Sequence, residues 1–448
     1  MENIYFWAFW WATLSICAWK FIEGIRRPER MLEWPFIACA MWAYFYVYMA
    51  YQAKMSLGEY LPGNSAVLGQ LLPLLCLVGI ILGWNIGLRS GFQAQRSPPD
   101  YSLSKVLWFG LGMASIGAYG AYSVTIASAK GEYDWEHTSA YWTWMFYIGY
   151  PGLAMAVWAA SKRQDSSRWL WWLVTFAVFA VFIYPNVHNA RRGPTFPAVL
   201  ILLIMPALAK RKSPNRIVYL SGLAGVGLVM LAFILARQFV YNNGTWAEAI
   251  QNLTFKDVVQ KHGINYQDNE YVDNCQLIWT LYKTGKYQYG TGHLELLVHW
   301  IPRQIWKSKP GLGEGYYPTD DLWEDEESVT GHRLLGGGAA AGGVADSFIQ
   351  YGFLTPLFWL GLSWLVARVY SRARRGNDPR WQLSYMAFIC STHWLVSQGF
   401  AAAFVPGMCF VIVPLLVLAM CHQDPPRVRT RMRNKPAGME LDHNSAVK

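Results

Sequence analysis

Cations, and one carboxylate, recur where the apolar stretches of this chain begin or end. Arg191 and Arg192 stand together in Asn186-Val187-His188-Asn189-Ala190-Arg191-Arg192-Gly193-Pro194, between two apolar runs. Arg237 closes another run, in Phe233-Ile234-Leu235-Ala236-Arg237-Gln238-Phe239-Val240. Arg303, Lys307 and Lys309 lie between Pro302 and Pro310, which stiffen the ends of their segment. His332 and Arg333 precede the glycine run Gly336-Gly337-Gly338, and Asp346 opens the next apolar run. Guanidinium groups bind phosphate oxygens in bidentate pairs and stay charged at any relevant pH. Arginines gathered at a membrane surface therefore suit a diphosphate carried on a lipid. The competing reading is headgroup anchoring, with apolar stems in the bilayer and charges in water. Asp346 has three open roles: a base toward a hydroxyl, an orienting partner such as for Arg237, or a purely structural carboxylate. A carboxylate at a span is expensive, which makes it a functional candidate.

Other groupings carry less. The glycine run can expose backbone N–H groups as an anion nest, but its spacing is neither a P-loop nor a dinucleotide fingerprint. It reads mainly as a hinge. The run Asp320-Asp321-Leu322-Trp323-Glu324-Asp325-Glu326-Glu327 has six carboxylates in eight residues without the central glycine of a calcium loop, and reads as a solvated, mobile segment. Cys275 is the one cysteine in the largest polar loop, and there is no C-x-x-C pair or Cys/His cluster. No H-E-x-x-H or G-x-S-x-G sequence occurs. No metal and no cofactor is expected.

The elements that must position these groups follow from hydropathy. Of 448 residues, 54% are hydrophobic and 15% charged, whereas soluble domains carry about 25% charged residues. An all-α polytopic membrane protein is expected. Segments of about 20 apolar residues fall near 4–22, 34–53, 66–88, 106–127, 139–160, 169–185, 194–209, 217–238, 344–369, 382–400 and 403–421, about eleven spans in all. The first lacks a basic lead and a cleavage site and reads as a retained span. Domain organisation follows: 1–240 an N-terminal transmembrane bundle, 241–343 a large outer loop, 344–421 the C-terminal transmembrane helices, and 422–448 a basic tail near anionic lipid. The loop is expected to be helical, with helices from Thr245 to Lys261 and near 269–282, and an interfacial helix around Leu294, Leu296, Leu297, Trp300 and Ile301.

Lys and Arg crowd alternate short loops, at Arg26–Arg30, Arg89–Lys105, Lys162–Arg168, Lys210–Arg216 and Arg368–Arg380, and in the tail. The positive-inside bias makes that face cytoplasmic. Both the N-terminus and the 241–343 loop are then outside and the C-terminus inside. Arg191 and Arg192 run against the bias. The net charge of +10 belongs to these loops, and no nucleic-acid partner is expected.

Two motifs are familiar in this setting. Ile301-Pro302-Arg303-Gln304-Ile305-Trp306-Lys307-Ser308-Lys309-Pro310 resembles the proline–arginine, tryptophan, lysine–proline element of bacterial oligosaccharide repeat-unit polymerases, the Wzy-type O-antigen polymerases. Ala345-Asp346-Ser347-Phe348-Ile349-Gln350-Tyr351-Gly352 resembles the element that opens their next span, with Asp346 where glutamate is usual and Gln350 where asparagine is frequent. Arg191-Arg192-Gly193 and Arg237 occupy positions similar to the family's outer-face arginines. The resemblance implies a GT-C-like glycosyltransferase of the bacterial inner membrane. It would act at the periplasmic face on undecaprenyl-diphosphate-linked oligosaccharides, with neither nucleotide sugar nor metal, and would build O-antigen or exopolysaccharide. Arg191, Arg192, Arg237, Arg303, Lys307, Lys309 and Arg333 would bind the diphosphate. Asp346 or His332 would assist the acceptor hydroxyl, and Trp306, Tyr316 and Tyr317 would stack on sugars. A chain-length regulator as partner is left open. The alternatives are an O-antigen ligase moving glycan onto a lipid A core, and a lipid-linked glycan flippase or transporter, which predicts charges deep inside several spans.

The orientation is testable. A green fluorescent reporter fused at the C-terminus is expected to fluoresce, and alkaline phosphatase inserted between 241 and 268 to be active. The opposite pair of signals reverses the assignment of faces.

Overall fold

The computed structural model describes residues 2–61, 63–89, 100–129, 140–188, 192–241, 269–298, 306, 325, 327–330 and 342–422; Arg192, 234–241 and several other helix residues are described by backbone alone. All regular structure among these residues is helical, apart from a single bridge between Tyr101 and His422. The helices are α1 (Glu2–Arg26), α2 (Trp34–Trp42), α3 (Met49–Ser56), α4 (Ser65–Arg89), α5 (Leu103–Ala129), α6 (Ala140–Lys162), α7 (Arg168–His188), α8 (Arg192–Lys210) and α9 (Arg216–Tyr241). They continue with α10 (Glu270–Thr284), α11 (Thr291–Val298), α12 (Gly343–Tyr351), α13 (Thr355–Arg375), α14 (Pro379–Ser397) and α15 (Phe400–Cys421). Five stretches, α4, α7, α8, α12–α13 and α15, are long and apolar enough to cross a membrane. On α7, Trp169, Leu173, Phe176, Val181 and Tyr184 all point outward. That arrangement suits hydrocarbon, not water, since helices satisfy their own backbone in lipid. The described chain is an all-α membrane protein.

Two expected spans are not single α-helices. The segment 34–53 passes through a π-helical stretch, Ala43–Tyr48, between α2 and α3. The segment 344–369 is broken at Gly352, which has φ +54° and ψ −135°. Only glycine tolerates that conformation cheaply, so α12 ends there as a separate half-helix. A short 3-10 turn then leads into α13.

Close approach of backbones holds the bundle together. Gly79, Gly83 and Gly87 line one stripe of α4, and a Cβ at each would lie 2.6, 2.1 and 2.6 Å from the carbonyl oxygens of Pro356, Leu360 and Trp364 on α13. Ser363 adds a 2.6 Å hydrogen bond to the Ile80 carbonyl. A second seam joins α5 and α6, where a Cβ at Gly117 would fall 2.3 Å from Gly149 Cα. Lipid tails are as apolar as leucine, so helices gain little by burying it against each other, and small residues that permit close packing are used instead.

The cation-rich loops meet at one end. Arg216 donates to the Arg26 carbonyl at 3.2 Å, Arg211 to that of Arg375 at 3.4 Å and Arg374 to that of Lys212 at 3.5 Å. Lys162 reaches Asn377 at 2.6 Å. Burial, together with the nearby Arg211 charge, holds the Lys162 ammonium below the usual lysine range. Helix α14 starts at this end and runs to the opposite one.

Of the loop 241–343, α10 covers the helix expected near 269–282, and its residues are mostly buried. Asn269 caps it by accepting from the Tyr271 N–H, and its amide donates to the Met49 carbonyl. Tyr271 and Gln276 donate to the carbonyls of Ala66 and Tyr60. Cys275 packs so tightly on α4 that a Cβ at Gly69 would be 2.2 Å from its sulfur. Burial pushes its thiol up to about 12, which makes Cys275 a packing group. This part of the loop belongs to the bundle. Asp325, from the acidic run, pairs with Lys286 at 2.5 Å. The helix expected from Thr245 to Lys261 lies outside the described residues.

Replacing Gly83 by Leu is expected to lower stability by about 1–3 kcal/mol or more through overpacking, read as a lower Tm in detergent. Gly361→Ala, where a Cβ meets nothing within 4 Å, serves as the control and should not lose stability. Equal Tm values for both variants would contradict the seam.

Candidate functional site

Of the charged candidates, Asp346 is the one whose side chain is described, and it is completely buried. It occupies the first turn of α12, where the helix dipole favours a negative charge. Its Oδ2 accepts the Phe400 N–H at 2.7 Å. That amide opens α15, so the carboxylate caps a second helix from outside and satisfies one of its orphan donors. The approach requires Gly399, which has φ +117° and at which a Cβ would fall 2.6 Å from Asp346 Cγ. A buried carboxylate without such partners is prohibitively costly.

His293, on α11, supplies the next contact. Its Nε2 lies 3.7 Å from Asp346 Oδ2, within ion-pair range but beyond a hydrogen bond. Its Nδ1 lies 2.9 Å from the Tyr351 hydroxyl. The imidazole is surrounded by rings, with centroids at 5.3 Å for Tyr351, 5.4 Å for Phe358 and 4.6 Å for Phe400. Gln350 accepts from the Gly292 N–H at 3.1 Å and donates to Gln288, whose own N–H bonds the Ile349 carbonyl at 2.9 Å. The short stretch before α11 is thereby stitched to α12. Beneath it, Ser347 accepts from Trp359 Nε1 at 3.0 Å.

The start of α12 is pressed against the last turns of α14, with a Cβ at Gly343 only 1.9 Å from the Leu395 carbonyl. The start of α8 reaches the same turns: a Cβ at Gly193 would lie 3.5 Å from Trp394 Nε1 and 3.9 Å from His393 Nε2. Tyr150 fixes that start by donating to the Pro194 carbonyl at 2.7 Å. The backbone of Arg192 and the carboxylate of Asp346 therefore lie at the same end of the bundle, away from the cation-rich loops.

Arg237 falls near the end of α9, and its side chain, like that of Arg192, is not described. Arg191, Arg303, Lys307, Lys309, His332, Arg333, Tyr316 and Tyr317 lie outside the described residues; Trp306 is exposed. The described contacts of Asp346 are to a helix start and an imidazole. Sequence reasoning did not single out His293 or Tyr351. The signal was faint: a histidine after Gly290-Thr291-Gly292, and a tyrosine already inside the second motif. No metal-holding group of His, Cys, Asp and Glu occurs among the described residues. No family model, curated protein or solved structure matches the chain.

Asp346→Ala is expected to cost about 1.5–3 kcal/mol, the worth of a hydrogen bond to a charged group. Asp346→Asn keeps an oxygen for the Phe400 amide and should cost less. Thermal unfolding of the purified variants measures both, and an Ala variant as stable as the parent would refute the capping role.

Proposed function

We propose that the protein is a glycosyltransferase that polymerises undecaprenyl-diphosphate-linked oligosaccharide repeat units at the periplasmic face of the bacterial inner membrane. The observation that carries this reading is the shared location of the Arg192 helix start and the Asp346 cluster, at the end of the bundle opposite the cation-rich loops. One lipid-linked glycan is the donor and a second is the acceptor. An acceptor hydroxyl attacks the donor's anomeric carbon as the bond to the diphosphate breaks. Arg191, Arg192, Arg237 and Arg303, with Lys307, Lys309 and Arg333 around them, offset the charge growing on the leaving diphosphate. Such stabilisation acts where charge develops and accelerates the step directly. Holding two membrane-tethered substrates side by side removes much of the entropic barrier.

The test is to express Arg191→Ala and Arg303→Ala in the parent organism and resolve its surface glycans by length. Loss of the ladder with single-repeat product retained supports a polymerase. Free lipid-linked polymer accumulating instead indicates a ligase. Normal chain lengths in both variants defeat the diphosphate-binding assignment.

A further inference from the structure

Three groups of the buried cluster form a line of rising exposure. Asp346 is wholly buried, His293 is 8% exposed and Tyr351 is half-buried. The contacts run in the same order, carboxylate to imidazole Nε2 at 3.7 Å and imidazole Nδ1 to phenol at 2.9 Å. The negative charge of the carboxylate favours the tautomer that carries its proton on the facing Nε2, which leaves Nδ1 as the acceptor. Nδ1 then accepts from the Tyr351 O–H. An interior carboxylate, an imidazole and an outer hydroxyl, in that order, are the parts of a hydroxyl-activating relay.

We propose that Asp346, His293 and Tyr351 constitute a proton relay whose outer end, the Tyr351 hydroxyl, takes the proton from the sugar hydroxyl that attacks in glycosyl transfer. The inference rests on the glycosyltransferase reading above. As the acceptor oxygen bonds to the anomeric carbon, its proton passes to the Tyr351 oxygen, and the Tyr351 proton passes to His293 Nδ1. The bond between the anomeric carbon and the diphosphate oxygen breaks, and its electron pair leaves with the diphosphate. Charge balances: the imidazole gains one positive charge and the departing diphosphate one negative charge. The Asp346 carboxylate and the faces of Phe358 and Phe400 stabilise the imidazolium. Asp346 itself never meets substrate and is a positioning residue, which reconciles its burial with a place in the chemistry. Tyr351 keeps its aim because its ring stacks on Phe358, with centroids 5.1 Å apart, and rests against Gly290.

The experiment uses the full-length protein in lipid nanodiscs with a defined undecaprenyl-diphosphate-linked repeat. The wild type must first form polymer; if it forms none, the glycosyltransferase reading falls and the relay with it. Given polymer, Tyr351→Phe preserves the ring stack and removes only the hydroxyl. Its kcat should fall about 100-fold, the usual worth of a positioned acid or base, with KM and Tm unchanged. His293→Ala should lose a comparable factor and regain at least about tenfold of its rate with added imidazole, whereas Tyr351→Phe should gain nothing. A Tyr351→Phe enzyme within about threefold of wild type overturns the relay while leaving the glycosyltransferase reading intact. So does a folded His293→Ala variant that imidazole leaves unchanged. Should His293→Ala not fold, the Tyr351→Phe rate decides alone.

Discussion

A carboxylate sealed inside this bundle has to be held by its neighbours, and the structure around Asp346 follows from that need. Its oxygen caps the start of α15, 54 positions further along the chain. That bond demands a glycine at 399 with left-handed backbone. It also fixes how α12, α14 and α15 meet, because Gly399 is the turn between the last two. His293 then brings α11, from the 241–343 segment, to the same point. One side chain thus joins three C-terminal helices to a loop that hydropathy alone would leave outside the fold.

The glycine seams make such a cluster possible. Between α4 and α13, and between α5 and α6, backbones approach until no Cβ fits. Packing of this kind is rigid, since neither side has a flexible side chain to yield. It supplies a fixed frame against which the half-helix α12 is set, and the break at Gly352 lets α12 leave the line of α13. The mouth of the bundle then carries polar and aromatic groups on separate short elements, which suits a site more than one continuous span would.

Charge is divided between the two ends. At one, Arg211 and Arg216 cap helix C-termini by donating to the carbonyls of Arg375 and Arg26, where the dipole favours them, and Arg374 donates to the Lys212 carbonyl in the loop after α8. At the other, two helix N-termini converge on a carboxylate. Both arrangements use the same physics with opposite sign, and α14 connects them.

Hydropathy and charge spacing are local properties, additive along the chain, so the sequence by itself determined the helical class, the apolar segments and the loops that share the cation-rich end. It also marked Asp346, because a carboxylate at an apolar boundary stands out in one dimension. What Asp346 touches was decided only by the tertiary structure. His293, Tyr351 and the Phe400 amide come from separate elements, and nothing in their local spacing signals that they meet. Their meeting depends on backbone angles at Gly352 and Gly399 and on the close approach of Gly343 to Leu395, quantities that exist only once the helices pack.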